Sequence, residues 1–151
     1  SVTSAIWYFK VLKKLEQYAD LDDFIWITRI INGGFNGYDE RLDYLNRFIR
    51  EANAQSCSNN GGFSKNHGCI YTFEESKAYD EMRASFAWGV WSDPGSNKSA
   101  KNKNRNEALK GYRRYISLRN AANRPAQRGA WYGYRNARNH AEERIRTLSG
   151  G

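Results

Sequence analysis

The residues of this chain best suited to chemistry sit in one run, Ile30-Ile31-Asn32-Gly33-Gly34-Phe35-Asn36-Gly37, followed within a helical turn by Asp39-Glu40-Arg41. Carboxamides and a guanidinium do not trade protons near neutral pH. They orient an acyl group or a water molecule and hold a neighbouring carboxylate in its charged form. Two glycine turns place Asn32 and Asn36 between an apolar segment and an amphipathic one, where a helix end presents polar groups into a cleft. Such chemistry supports a reaction and does not itself carry out proton transfer. The same residues also suit a plainer structural role, because Asn-Gly-Gly makes a good helix C-cap, and Arg41 lies within reach of Asp39, Glu40 and Asp43 for surface pairing of little energetic weight.

Other candidates are weaker. Glu74 and Glu75 are adjacent, so on a helix they point about 100° apart and read as a solvated face. Trp88 and Trp91 can stack on a sugar ring, and their spacing suits packing equally well. Cys57 and Cys69 enclose a loop rich in Gly, Asn and Ser. A disulfide there would close a short loop and stabilise by about 3 kcal/mol; a pair of free thiols and a zinc site drawing on His67 are the other readings. Zinc is short of ligands, since there is no CxxC pair and His140 is remote. Neither a resident metal nor a cofactor is expected.

From about residue 4 to residue 48 the chain resembles the C-terminal part of glycoside hydrolase family 19, the plant-type chitinases and phage endolysins. The resemblance rests on Asn32-Gly33-Gly34, Asn36-Gly37, Asp39-x-Arg41 and the Tyr44 that follows, with Ser4-Ala5-Ile6-Trp7-Tyr8-Phe9 at the expected distance upstream. It implies a lysozyme-like helical subdomain and inverting hydrolysis, in which one carboxylic acid protonates the leaving oxygen while a second carboxylate activates water. It also implies that Asn32 lies in the substrate cleft and that Arg41 joins the charge network around the catalytic acid. Many plant chitinases have Glu at the position of Asn36, whereas phage endolysins resemble this chain in having Asn, which points to peptidoglycan.

The family carries its acid in a His-Glu-Ser/Thr-Gly-Gly-Phe-like motif well upstream of the segment matching Trp7, with the base also upstream, and neither motif occurs here. Gly61-Gly62-Phe63 resembles the end of that motif but follows Asn59 and Asn60, so it is assigned no role. The expectation is a C-terminal fragment of a phage peptidoglycan-degrading hydrolase. Asn32, Asn36 and Arg41 would be supporting residues, no residue would be catalytic, and the chain alone would be inactive. Its partners would be peptidoglycan or a chitin-like glycan and an upstream polypeptide supplying acid and base, in the virion or the host periplasm. The alternatives are a non-catalytic virion structural or interaction protein derived from a lysozyme, and a basic nucleic-acid-binding module.

With 40% hydrophobic and 15% aromatic residues among 151, the composition excludes global disorder and suits a modest core. Charge is unevenly spread: it is balanced over residues 1–50, −3 over 51–97 and +11 over 98–151, where 14 basic residues face 3 acidic ones. From Lys98 to Arg146 cations interleave with aromatics, a pattern suited to other virion proteins or to a polyanion such as nucleic acid or wall polymer. No apolar run reaches the ~20 residues needed to span a bilayer. The chain opens on Ser-Val-Thr without an apolar leader, and reads as a mature or excised piece of a longer protein.

These residues must be positioned by helices, and the class is mainly α. Trp7, Val11, Leu15 and Tyr18, with Phe9 and Leu12, predict a helix over 3–19 whose Trp7, Tyr8 and Phe9 enter the core. Asp20 or Asp22 caps the next, with Phe24, Ile27, Ile30 and Ile31 as its stripe and Gly33-Gly34 as its stop. A third spans 38–52 with Leu42, Leu45, Phe48 and Ile49 inward. Residues 73–91 read as a helix with Tyr79, Met82, Phe86 and Val90 on one side, after a possible short strand at 69–73. Leu109, Tyr112 and Ile116 mark a further helix, and Trp131, Tyr134, Ile145 and Leu148 another beyond Pro125. The organisation expected is a family-like part at 1–56, a cysteine-bounded loop at 57–72, and a basic helical extension at 73–151 with a linker near 92–99.

Overall fold

The computed structural model describes residues 2–21, 23–51, 63–64, 68–69, 72–98, 100–101, 103–122, 127 and 129–150, with backbone alone at 9, 63–64 and 68–69. It is mainly helical: α1 (Val2–Trp7), α2 (Glu16–Ala19), α3 (Phe24–Asn32), α4 (Tyr38–Glu51), α5 (Met82–Ser92), α6 (Arg105–Ala121) and α7 (Ala137–Ser149). A two-residue antiparallel ladder joins β1 (Phe63–Ser64) to β2 (Gly68–Cys69). Cys57 and His67 lie outside the described residues and only the backbone of Cys69 is described, so the cysteine pairing lies outside them too. Among the described residues no helix is long and apolar enough to cross a membrane.

The organising element is α5. Its sequence, Ala84-Ser85-Phe86-Ala87-Trp88-Gly89-Val90-Trp91, is apolar or small on every side, and such a helix is stable only when surrounded. Every residue from Ala84 to Ser92 is buried. The expected one-sided face is therefore corrected. Tyr79 belongs to a separate 3-10 turn, Lys77–Asp80, and α5 begins only where the Glu81 carboxylate accepts hydrogen bonds from the Arg83 and Ala84 amides at 3.1 and 2.7 Å.

One side of α5, through Phe86 and Val90, meets Leu109, Tyr112 and Tyr115 of α6 and Ala137, Ala141 and Leu148 of α7. The other side, through Ala84, Ala87, Trp88 and Trp91, meets Ile25 of α3, Phe35 and Phe73. Close approach of α5 and α6 depends on two glycines. A Cβ on Gly111 would lie 2.4 Å from the Gly89 nitrogen, and one on Gly89 would lie 2.6 Å from the Tyr112 ring. Side chains from either side of the cysteine loop thus share one core cluster.

Several helix assignments shift. The expected helix over 3–19 is interrupted by a π-turn at Tyr8–Leu12 and by Lys14 at φ 50°. Leu15 is buried, but Trp7 is 54% exposed, with Val2, Ile6, Val11 and Leu12 at least as open or nearly so. The core role expected for Trp7 is not realised. Phe48 is 64% exposed and does not face inward.

The cap of α3 is Asp23, one residue past the expected candidates. Its Oδ1 accepts from the Trp26 amide and the Ser76 hydroxyl, and its Oδ2 from the Lys77 amide at 2.8 Å. Tyr134 and Trp131 lie outside α7 and form a tight turn joined by reciprocal backbone hydrogen bonds of 3.0 and 2.9 Å.

The segment at 92–99, a linker by its composition, holds the most fully buried carboxylate among the described residues. Asp93 is 1% exposed, and Arg144 grips it through two parallel bonds, Nε to Oδ2 at 2.7 Å and Nη2 to Oδ1 at 2.8 Å. Tyr112 donates its hydroxyl to Oδ2 at 2.9 Å, and the Gly95 amide donates to Oδ1 at 2.7 Å. The turn residue Gly95 serves this grip, since a Cβ there would lie 2.4 Å from the Arg144 guanidinium. His140 Nε2 lies 3.3 Å from the Tyr112 hydroxyl, and its ring stacks on Tyr134 at 3.8 Å.

Burial pushes the Asp93 carboxyl up, but the Arg144, Gly95 and Tyr112 hydrogen bonds and the Arg144 charge outweigh it and hold it below the usual carboxylate range. A depressed folded-state value means stability that is present above the unfolded value and lost as pH falls through the folded one. Burial pushes the His140 ring below its ordinary value, so the unfolded state takes up that proton first and stability also falls as pH drops below about 6.5. Urea unfolding across pH should therefore show a loss below about pH 6.5 that His140→Gln removes, and a steeper one below about pH 4 that Asp93→Asn removes. At pH 7, Arg144→Met should cost about 3–5 kcal/mol, because it leaves a buried carboxylate without its partner. Gly111→Ala should lower the melting temperature by forcing α5 and α6 apart.

Candidate functional site

The elbow between α3 and α4 gathers the supporting residues. Gly33 ends α3 in the left-handed region at φ 69°, and Gly37 opens α4 at φ 73°, conformations that glycine adopts without strain. Between them Phe35 is buried and meets Trp88 edge to face at 5.1 Å, which fastens the elbow to α5. The Tyr38 amide bonds to the Phe35 carbonyl at 3.0 Å, and the Arg41 amide bonds to the Gly37 carbonyl at 3.1 Å, starting the new helix.

In that frame the Asn32 carboxamide is held at both ends. Its Nδ2 donates to the Asn36 carbonyl, and its Oδ1 accepts from Arg41 Nη2 at 3.1 Å. All three expected residues therefore meet, although Asn36 takes part through its backbone while its side chain stands exposed. Asn32 is exposed and Arg41 half-buried, so the cluster faces solvent with its carboxamide plane fixed. Such an arrangement can bind and orient a hydroxyl or an N-acyl group. It has no group poised to exchange a proton near neutral pH.

Spacing along the chain does not reveal the residues that close this elbow from outside. Tyr132, from the basic third, donates its hydroxyl to the Gly33 carbonyl and lays its ring on Gly34, where a Cβ would lie 2.5 Å from Cε1. Burial raises the Tyr132 phenol above its ordinary range, with Arg29 and Arg83 opposing and Glu81 adding to the rise. Arg29 Nη2 stands 3.6 Å from Glu81 Oε2. A carboxylate is thus close to the elbow, but it is committed to capping α5. Beyond it Arg83 lies over the Trp131 ring at 5.8 Å, at the edge of a cavity of about 420 Å3. No local pattern announces Tyr132, a non-glycine residue at φ 53°.

The basic third is partly consumed inside the molecule. Lys101 pairs with Asp43, Lys110 with Glu74 and Glu107, and Arg114 with Asp80, at 2.7 to 2.8 Å. Four of the acids bound by this third, Asp43, Glu74, Asp80 and Asp93, precede residue 98, so the charge imbalance along the chain is in part complementarity between its own segments. Arg113, Arg135 and Arg146 remain on the exposed surface. Glu74 and Glu75 are exposed, and Trp88 and Trp91 are buried. Among the described residues no three His, Cys, Asp or Glu side chains gather as a metal ion requires.

Comparison with protein-family models, with curated proteins and with solved structures gives no match for this chain.

The Tyr132 lid over Gly34 is testable by a double-mutant cycle. Gly34→Ala should cost about 1–3 kcal/mol in the native background by overpacking. It should cost clearly less in a Tyr132→Ala background, where the clashing ring is gone.

Proposed function

We propose that this chain forms the supporting wall of a glycan cleft in a phage peptidoglycan hydrolase of the family 19 type, with the acid and base supplied by an upstream polypeptide. The observation that carries the proposal is the Asn36–Asn32–Arg41 chain of hydrogen bonds at an exposed elbow. It fixes a carboxamide and a guanidinium at the surface, groups of the kind that receive a sugar's N-acetyl group or a catalytic carboxylate. In an inverting hydrolysis the transferred protons move on the two carboxylates and the water. Arg41 would hold the acid's neighbours in their charged form, and Asn32 would orient the substrate. The working site would be the virion or the host periplasm.

A second reading, a non-catalytic interaction protein of the virion, is favoured by the open apolar side chains of Val2, Ile6, Trp7, Val11 and Leu12. Large apolar side chains left open close together along the chain suit an assembly surface.

Turbidity clearing of purified peptidoglycan separates the two. On the first reading the chain alone leaves the suspension turbid, and adding the upstream polypeptide restores clearing. Arg41→Ala should then reduce clearing by roughly tenfold to a hundredfold, the loss expected for a charge-assisted hydrogen bond. Clearing by the chain alone would contradict the absence of catalytic carboxylates, and no clearing in either mixture would favour the interaction protein.

A further inference from the structure

A cavity of about 570 Å3 opens where the first turns of α4 and α6 meet the end of α5. It lies on a different face of α4 from the elbow: Tyr38, Asp39 and Leu42 line it, whereas Arg41, on the same turn, holds Asn32. Its volume is in the range of small-ligand pockets.

The polar groups around it are held in place by the protein itself. Asp39 Oδ2 accepts from the Lys101 amide at 2.8 Å. Glu107 Oε2 accepts from the Trp88 indole at 3.1 Å, and its Oε1 from Lys110 at 2.7 Å. Asn104 uses its Oδ1 to cap α6 through the Asn106 and Glu107 amides, which leaves its amide nitrogen as the donor. Lys103 is anchored by two bonds from Nζ to Ser96, at 3.2 and 3.0 Å. Groups fixed before a ligand arrives lose little freedom on binding.

The charges at the cavity cancel, with Asp39 and Glu107 against Lys101 and Lys103. No net field selects an ion. The cavity instead brings strong acceptors, Asp39 and Glu107, and strong donors, Lys101, Lys103 and Asn104, beside the apolar surfaces of Leu42 and Trp91. That mixture matches a pyranose, whose hydroxyls both donate and accept while its C–H face seeks an apolar wall.

We infer that this cavity is a saccharide subsite that takes a neutral pyranose unit, separate from the Asn32 elbow. The inference rests on the glycan reading proposed above and adds to it a second contact point, on the far side of Tyr38.

The test is calorimetric titration of the full chain with the tetramer of N-acetylglucosamine, with thermal melts confirming that each variant folds. The wild type should bind. Leu42→Trp, which fills the cavity, and Glu107→Gln, which replaces a charged acceptor by an amide, should each weaken binding at least tenfold. Loss in these two variants with Arg41→Ala unaffected supports the subsite. Loss in Arg41→Ala alone overturns the subsite and keeps the elbow. Loss in all three places both on one glycan site, and no binding by the wild type overturns both.

Discussion

The carboxylate of Asp93 is the constraint on which most of the structure depends. It is buried at the end of α5, and a buried carboxylate is tolerated only when its charge and its lone pairs are met. Arg144 from α7, the Tyr112 hydroxyl from α6 and the Gly95 amide from the following turn meet them together. Three elements are thereby fixed around one end of the central helix. The aromatic packing of Phe86 against Tyr112, Tyr115 and Tyr134 fills the space between them. A second buried carboxylate, Asp23, does the same on the other side, tying the start of α3 to Ser76 and Lys77.

The candidate site inherits its rigidity from this frame. Phe35 plants the elbow on Trp88 of α5, and Tyr132 reaches it from the turn that precedes α7. The elbow is therefore clamped between the two sides of α5, although every residue that makes it chemically interesting comes from one short segment. The cavity behind Tyr38 depends on the same arrangement, since the first turns of α4 and α6 wall it at the end of α5, and Gly89 and Gly111 let α5 and α6 approach closely.

How far the molecule could be read beforehand follows the range of each interaction. The meeting of Asn32, Asn36 and Arg41 spans four and nine residues, and glycine turns with helical spacing encode it directly. The Tyr132 lid spans 99 residues and leaves no local trace. The α3 cap shows the boundary between the two cases. Asp20, Asp22 and Asp23 are all suitable caps by type, and Asp23 is the one that also receives Ser76 and Lys77. Trp131 and Tyr134 carry helical spacing, but the positive φ values of Tyr132 and Gly133 turn the chain there, and three-residue spacing alone does not distinguish a helix from a tight turn.

The sequence by itself determined the mainly helical class, the glycine-bounded elbow with its carboxamide and guanidinium, and the charge contrast between the chain's thirds. Each of these is a matter of residue type and short spacing, to which local backbone geometry responds. The tertiary structure alone decided that the basic third is in part a clasp on the chain's own acids, and that a segment with linker composition carries a buried carboxylate. It alone decided that the first helix keeps Trp7 open to solvent. Charge pairing and burial depend on which segments the packing of α5 brings together, and no spacing along the chain records that.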